Sequence, residues 1–452
     1  MVRDLTQGSP LKVIVNFSMP IFVGMLFQVL YTLVDSIVVS RFLGVGALGA
    51  IGSTGSLTNF TNGFTIGMMN GFAVITAQLF GAGDYSAMRK SVSSAVWLTA
   101  IIGLVLSLAM ALNVNTILTL MSTPADIFDA AKGYIVMLFW GLFITGLYNL
   151  SLGVLRALGD SRTPLLYMIL SQILNIVFDL IFVLLFKMGT YGVGLATIFS
   201  QLCCTALIVY TMYKHVPILH MSKGEILPDK KLMGRLCGVG IPMGLQISIT
   251  GIGALVLQRA VNALGSAAVT ATTVASKVNM LLILPFESVG TAMPSYAGQN
   301  LGAGRIDRIK KGVADILIAQ LILCMPIYLI ALFLGEKLTL LFAPDTTAEV
   351  LNMAGLYLKI NGALYLLLSF VNTIRNTLQG MGYSVPAMTA GVLEMCGRSI
   401  VGLVMIPLIG FAGSCHGHGF AWLFADCFLI PMYFIAMRKF KKQGLQQKAA
   451  QA

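Results

Sequence analysis

Long apolar runs separated by short polar stretches recur from one end of this chain to the other. Ile14 to Leu33, Trp97 to Leu112, Leu165 to Phe186, Ile316 to Leu334 and Trp422 to Met437 are the clearest. A hydrocarbon core ~30 Å thick takes about 20 helical residues to cross. The runs lack the ~10-residue alternation of a transmembrane barrel, which leaves helices as the spanning element. The pattern predicts an all-α polytopic membrane protein of about twelve transmembrane helices. Nothing before Leu11 has the form of a cleavable signal peptide, so the first run is expected to remain as helix 1.

Composition strengthens this picture. Of 452 residues, 57% are hydrophobic and 10% are charged, with a mean hydropathy of +0.87. A soluble domain carries about 25% charged residues to hydrate its surface. The net charge of +12 invites a nucleic-acid reading, but its distribution excludes one. Most of the 29 lysines and arginines fall in alternate loops. Arg3 and Lys12 open the series, followed by Arg89 and Lys90, then Arg156 and Arg162. Lys214, Lys223, Lys230, Lys231 and Arg235 come next, then Arg305, Arg308, Lys310 and Lys311. Arg438, Lys439, Lys441, Lys442 and Lys448 close it. The intervening loops hold isolated residues such as Arg41, Lys187 and Lys337. By the positive-inside rule both termini lie in the cytoplasm, which requires an even number of spans.

Self-similarity gives the organisation. Gln78-Leu-Phe-Gly-Ala-Gly83 recurs 221 residues later as Gln299-Asn-Leu-Gly-Ala-Gly304, each followed by a basic pair, Arg89-Lys90 and Lys310-Lys311. Pro20 matches Pro242, and Leu43-Gly44 matches Leu264-Gly265. Tyr134 matches Tyr357, Gly159 matches Gly382, and Pro164 matches Pro386; Gly189 and Gly192 match Gly410 and Gly413. The matched basic loops have one sign, so the halves are parallel repeats of six helices related by an axis along the membrane normal. The expected organisation is an N-terminal six-helix lobe over 1–213, a cytoplasmic linker over 214–235, a C-terminal six-helix lobe over 236–437 and a basic cytoplasmic tail over 438–452. Two such lobes enclose a central cleft that opens to either side by rocking, the plan of a secondary transporter. Pro285 and Pro294 are expected to interrupt helix 8, and Pro20 and Pro242 to bend helices 1 and 7.

Polar groups within the spans are the candidate chemistry, because each costs a few kcal/mol to insert. Helix 1 carries Asp35, helix 5 carries Asn175 and Asp179 on one face, and helix 6 carries Thr197. Neither acid has a basic partner at i±3 or i±4. Such a cluster is suited to take up a proton, or to bind Na⁺ through its oxygens; a polar network that only pins the helices is the structural alternative. Offsetting Asp35 and Asp179 by the repeat lands on Leu257 and on Ile400 or Val401, so the acids exist in one lobe only. Symmetric packing has no use for that difference. In the second lobe, Glu394 and Arg398 are spaced as an i, i+4 structural ion pair. Gln28, Asn149, Glu287, Arg375 and Asp426 are the candidates for lining the cleft and meeting substrate, with Asn372 beside Arg375 and Lys277 available to neutralise an acid.

Other chemistries lack their motifs. There is no Gly-Lys-Ser/Thr phosphate loop, no G-x-S-x-G elbow and no H-E-x-x-H helix, so no enzyme activity is expected. The seven cysteines show no C-x-x-C spacing and read as small buried apolar side chains. Cys415, His416 and His418 supply too few ligands for a metal site, so none is expected.

In these residues the chain resembles the multidrug and toxic compound extrusion (MATE) family over essentially its whole length. The resemblance is carried by Leu33-Val-Asp35, the paired Gln-x-x-Gly-Ala-Gly segments, Leu155-Arg-Ala-Leu-Gly-Asp160 with Pro164, and Asn175-x-x-x-Asp179. It implies a cation-coupled antiporter exporting amphiphilic, often cationic, compounds. It also implies that Asp35, Asn175, Asp179 and Thr197 form the H⁺ or Na⁺ site, with Pro20 as a bend coupled to it. Another branch of the family places a glutamate early in helix 7 and an aspartate in helix 10. Here those stretches read Gln246-Ile-Ser-Ile-Thr250 and Leu366-Leu-Leu-Ser369, without a carboxylate. The expected partners are small organic molecules and the lipid bilayer, with no cofactor beyond the coupling ion. The expected location is the plasma (inner) membrane, as a monomer. A flippase for lipid-linked precursors would carry a more cationic cavity. A scaffold has no use for one-sided buried acids, and a channel would carry filter rings.

Overall fold

A span in lipid must pair its backbone N–H and C=O groups internally, and this chain does so with helices throughout. The computed structural model of the protein describes residues 2–344 and 346–451, less the side chains of Val45 and of residues 443–451; Lys448 of the expected tail is among the latter. Among the described residues there are helices and turns and no strand. Ten helices are long and apolar enough to span a membrane, or up to twelve when each of two bent pairs counts as one span.

In chain order the first six are α1 (Pro10–Leu43), α2 (Gly55–Gly81), α3 (Tyr85–Leu112), the bent pair α4 (Phe128–Trp140 and Leu142–Ala157), α5 (Arg162–Leu180) and α6 (Gly189–His215). The second six are α7 (Lys230–Asn262), α8 (Ser266–Gly302), α9 (Ile306–Phe342), the bent pair α10 (Ala348–Ala363 and Tyr365–Gly380), α11 (Ser384–Ile400) and α12 (Gly417–Gln451).

The duplication reaches into backbone detail. The bends in α4 and α10 are both 51°. Glycines with positive φ occur in matched pairs: Gly44 and Gly265 at 87° and 98°, Gly83 and Gly304 at 74° and 68°, Gly159 and Gly382 at 80° and 85°, and Gly189 and Gly410 both at 60°. These corners need glycine because a Cβ disfavours the left-handed region. A single π-helical turn follows α5 at Ile181–Leu185, and its counterpart follows α11 at Val401–Met405.

Several motifs acquire structural roles. Asp160 closes the Leu155–Asp160 motif and caps α5: its Oδ1 accepts from the N–H groups of Arg162 and Thr163, both at 3.0 Å, and its Oδ2 from the Thr163 hydroxyl at 2.6 Å. That satisfies donors a helix N-terminus otherwise leaves orphaned. In the second Gln-x-x-Gly-Ala-Gly segment, Gln299 accepts from Leu5 N–H at 2.8 Å and Asn300 donates to Leu5 O at 3.3 Å. Arg305 and Arg308 donate to the carbonyls of Thr6 and Gly8 at 2.6 and 2.7 Å, strapping the segment that leads into α1.

Contacts divide the chain into two units. One holds Met1–Asp4 with Val23–Gly244, the other Leu5–Phe22 with Leu245–Ala452. The compact units therefore do not follow the sequence halves. In both α1 and α7 the membership changes at the second residue after the in-helix proline, Pro20 or Pro242. Within the first unit a physical cause is visible for α7. Gly67 and Gly71 of α2 meet Gly240 and Gly244 of α7 so closely that a Cβ on Gly71 would lie 2.5 Å from Gly240 Cα. Two small-xxx-small stripes bring the helix backbones into contact.

The segment between α6 and α7 is folded rather than extended. It forms two short 3₁₀ turns, Pro217–Leu219 and Lys223–Glu225, and is clasped to α3. Glu225 accepts from Arg89 Nε at 2.7 Å, Arg89 Nη2 at 2.8 Å, Ser86 Oγ at 2.7 Å and Ser222 N–H at 2.9 Å. The guanidinium of Arg89, with these further donors, holds the Glu225 carboxyl far below the usual carboxylate range. Ser93 and Trp97 donate to Ile226 O at 2.5 and 3.2 Å.

Two expectations are corrected. Pro285 and Pro294 do not interrupt helix 8, since α8 runs through both. Each proline removes one N–H and frees the carbonyl four residues before it, which packing against neighbouring helices tolerates. The breaks lie instead at Gly141 and Leu364, where no proline stands. The cysteines are not uniformly buried either: Cys204 and Cys415 are, whereas Cys396 and Cys427 are exposed.

Candidate functional site

The acids of the first lobe converge within one unit. Asp35 comes from the part of α1 beyond Pro20, and Asn175 and Asp179 from one face of α5. Thr197 comes from α6, one turn after Val193, whose carbonyl accepts its hydroxyl at 3.2 Å. Asn175 and Asp179 are 3% and 1% exposed, deeper than any loop carboxylate would sit. The Asp35 and Asp179 carboxyl groups lie within hydrogen-bonding reach of each other. Each also has a buried oxygen without a hydrogen-bond partner among the described residues.

Asn175 joins the elements together. Its amide satisfies its surroundings when the nitrogen faces Asp179 Oδ2 at 3.0 Å and the oxygen faces Thr197, 3.0 Å from the N–H and 3.3 Å from the hydroxyl. The Tyr31 hydroxyl, one turn before Asp35, is hydrogen-bonded to the same amide. Tyr134, on the first half of α4, lies within electrostatic range of both acids. The backbone beside it is closely approached, because a Cβ on Gly194 of α6 would sit 2.6 Å from Tyr134 O. Sequence reasoning missed both tyrosines. The available signal was the i, i+4 spacing of Tyr31 and Asp35, together with Tyr134's place in the repeat.

Immediately beyond Asp179 the backbone enters the π turn, a wider register that re-aims the following side chains. Phe178, Phe182 and Phe199 pack edge-on and stacked beside it, with ring centroids 4.9 to 6.1 Å apart. The result is one buried and one half-buried carboxyl group, an amide and hydroxyls, with no basic side chain among the partners named. Two carboxyl groups this close, with no basic partner among the residues named, offer spare oxygen acceptors of the kind a proton or a small monovalent cation takes.

The second lobe is organised differently. Glu394 does pair with Arg398, at 3.5 Å, but its shorter bond is to Arg375, at 2.6 Å, so the expected pair is a triad. Arg375 also donates to Asn372 Oδ1 at 3.1 Å, and Arg398 to Thr250 O at 3.0 Å. Gln246 bonds to Thr250 and Gln379, both at 3.4 Å, so a neutral amide network fills the stretch expected to lack a carboxylate. Glu287 is exposed and Asp426 is buried. Gln28 is exposed, and Asn149 is half-buried with its amide on Thr145 O at 2.8 Å. Of these five cleft candidates, Glu287, Arg375 and Asp426 are neighbours in the second unit, and Gln28 and Asn149 belong to the first. His416 bonds to Ala412 O at 2.9 Å and His418 stacks on Trp422 with centroids 5.6 Å apart. Among the described residues no group of three or more metal-ligating side chains is found.

Two parallel helical repeats, long apolar spans and polar clusters within the spans that differ between the repeats define a multi-pass membrane transporter. Residues 20–181 and 242–405 each match the MatE family, and the chain belongs to it. It is 32% identical over 310 residues to the probable multidrug resistance protein YpnP of Bacillus subtilis (strain 168), covering 68% of each chain. It is 28% identical over 374 residues to the probable multidrug resistance protein YoeA of the same organism, covering 81% of this chain and 80% of that one. Among solved structures, a MATE transporter in complex with MaL6 superposes with a TM-score of 0.88 at 22% identity, over 97% of this chain and 99% of the other.

Proposed function

We propose that the protein is a secondary active antiporter exporting amphiphilic, often cationic, small molecules in exchange for H⁺ or Na⁺. The observation that carries this reading is the meeting of Asp35 with Asp179 in the first unit, with Asn175 on Asp179 and no guanidinium or ammonium partner among the described residues. A buried acid pair of that kind binds one cation at a time, which is what exchange requires. The carboxyl–carboxyl hydrogen bond favours H⁺ as that cation. The names of the related Bacillus proteins support drug-like substrates. The basic loops support a plasma-membrane location with both termini cytoplasmic. Pro20 supports a hinge in α1, since unit membership changes two residues beyond it.

The test is transport in proteoliposomes loaded with cationic dyes under imposed H⁺ or Na⁺ gradients. Asp35→Asn and Asp179→Asn are each expected to reduce gradient-driven efflux at least 100-fold, the order expected when a buried charge interaction is removed, about 3 kcal/mol. Both variants should still insert and purify normally. Undiminished coupled efflux by both would refute the assignment. The gradient that drives the wild type identifies the ion.

A further inference from the structure

Glu394 answers two guanidinium groups, and a second buried acid in the same cluster is hydrogen-bonded to none among the described residues. Asp426, on α12, is 3% exposed, and both its carboxyl oxygens are without a hydrogen-bond partner among the described residues. The charges acting on it are those of Arg375 on α10 and Glu394 on α11. The same two act on Glu287 of α8, so these four groups form one cluster. Arg398, on the α11 face, completes it through Glu394. On α12 itself His418 lies two turns back, stacked on Trp422 and facing Arg398.

A bare carboxylate in such surroundings costs several kcal/mol unless a counter-ion or hydrogen-bond donor is supplied. Arg375 is committed to Glu394 at 2.6 Å and to Asn372 at 3.1 Å, and Arg398 to Glu394 and Thr250. We propose that Asp426 is a second proton-binding carboxyl group of this transporter, with Arg375 as the counter-ion it draws from Glu394 when the proton leaves. The balance of charge supports this. With Asp426 neutral, the two arginines are matched by Glu394 and Glu287. When the proton leaves Asp426, one negative charge is unmatched, and Glu394 can release Arg375 because Arg398 stays with it. A metal ion is disfavoured at this place, since Arg375 and Arg398 repel it and the Glu394 carboxylate is already committed to both of them.

This site is separate from the Asp35–Asp179 pair and does not depend on it. It is tested by infrared difference spectroscopy of the full-length protein in lipid vesicles, titrated with pH. Wild type and the Asp35→Asn, Asp179→Asn double variant should both show a protonated-carboxyl band that Asp426→Asn lacks, with total proton uptake in Asp426→Asn lower by about one per chain. Asparagine has the shape of the neutral acid, so Asp426→Asn should keep the wild-type elution profile and melting temperature. Arg375→Gln should move the disappearance of the Asp426 band upward by about one pH unit, because a favourable positive charge is lost. An unchanged spectrum in Asp426→Asn overturns the proposal. So does failure of that variant to fold, which would mean the native group is an ionised, structurally paired carboxylate. A band that instead responds to Na⁺ at constant pH also overturns it.

Discussion

At the scale of the residue, hydrogen bonds separate side chains that build helices from those that keep spare acceptors. Asp160 spends both oxygens on the start of α5. Asp160→Ala should therefore destabilise the protein by about 1 kcal/mol, the usual cost of a lost cap, read as a lowered melting temperature with ion dependence of transport unchanged. Asp35 and Asp179 each keep an oxygen without a partner among the described residues. Tyr31 stands between these cases, since it bonds to the amide that bridges Asp179 and Thr197. Removing its hydroxyl in Tyr31→Phe should weaken cation occupancy about five-fold, for a bond worth about 1 kcal/mol, measured as a raised half-saturating ion concentration. An unaltered ion dependence would place the tyrosine outside the site. Asp35, Asn175, Asp179 and Thr197 were legible in the sequence because polar groups inside apolar runs stand out. The tyrosines were not, because their rings fit the apolar pattern and only the fold shows where a hydroxyl ends. Glu394 was legible as half of an i, i+4 pair; its stronger partner, Arg375, comes from another helix and leaves no local spacing to read.

At the scale of the element, apolar run length located the spans and glycine located the corners. Prolines were poor guides to broken helices: α8 passes through two of them, while the 51° bends fall elsewhere. A proline removes one donor, which a packed helix absorbs, whereas a 51° bend is set by what the two half-helices pack against. The α2–α7 crossing gives a sharp test. Gly71→Leu places a side chain where Gly240 Cα already stands, and overpacking of this kind costs about 1–3 kcal/mol. The expected outcome is a lower melting temperature in detergent, with Ser91→Ala on neighbouring α3 close to wild type. Equal stability of Gly71→Leu would mean the helices are free to separate there.

At the scale of the whole molecule, the repeat is legible in the sequence but the division into units is not, because it depends on contacts that no local pattern encodes. The linker is the clearest case. Its polar composition reads as a solvated tether, yet Glu225 is buried in a set of donors from α3 and its own turn. Because that carboxyl is held below its ordinary range, the clasp contributes fully above the unfolded value of ~4.3 and is lost as pH falls toward the depressed folded value. Protease cutting between Val216 and Asp229 should thus be slow at neutral pH and accelerate in strong acid. Glu225→Gln should be cut faster already at neutral pH and show little further change with acid. Matching rates for the two proteins at neutral pH would remove the clasp from the account.

The paired π turns carry a chronology. A π turn amounts to one residue inserted in an α-helix, and here it stands at Ile181–Leu185 and again at Val401–Met405. One insertion in an ancestral six-helix chain, copied when that chain doubled, accounts for both. The acids beside the first turn have no counterparts beside the second, so the duplicate halves have since parted in charge while keeping the older kink. The wide turn was a property of the ancestral half, and the present difference in acids was written onto it afterwards.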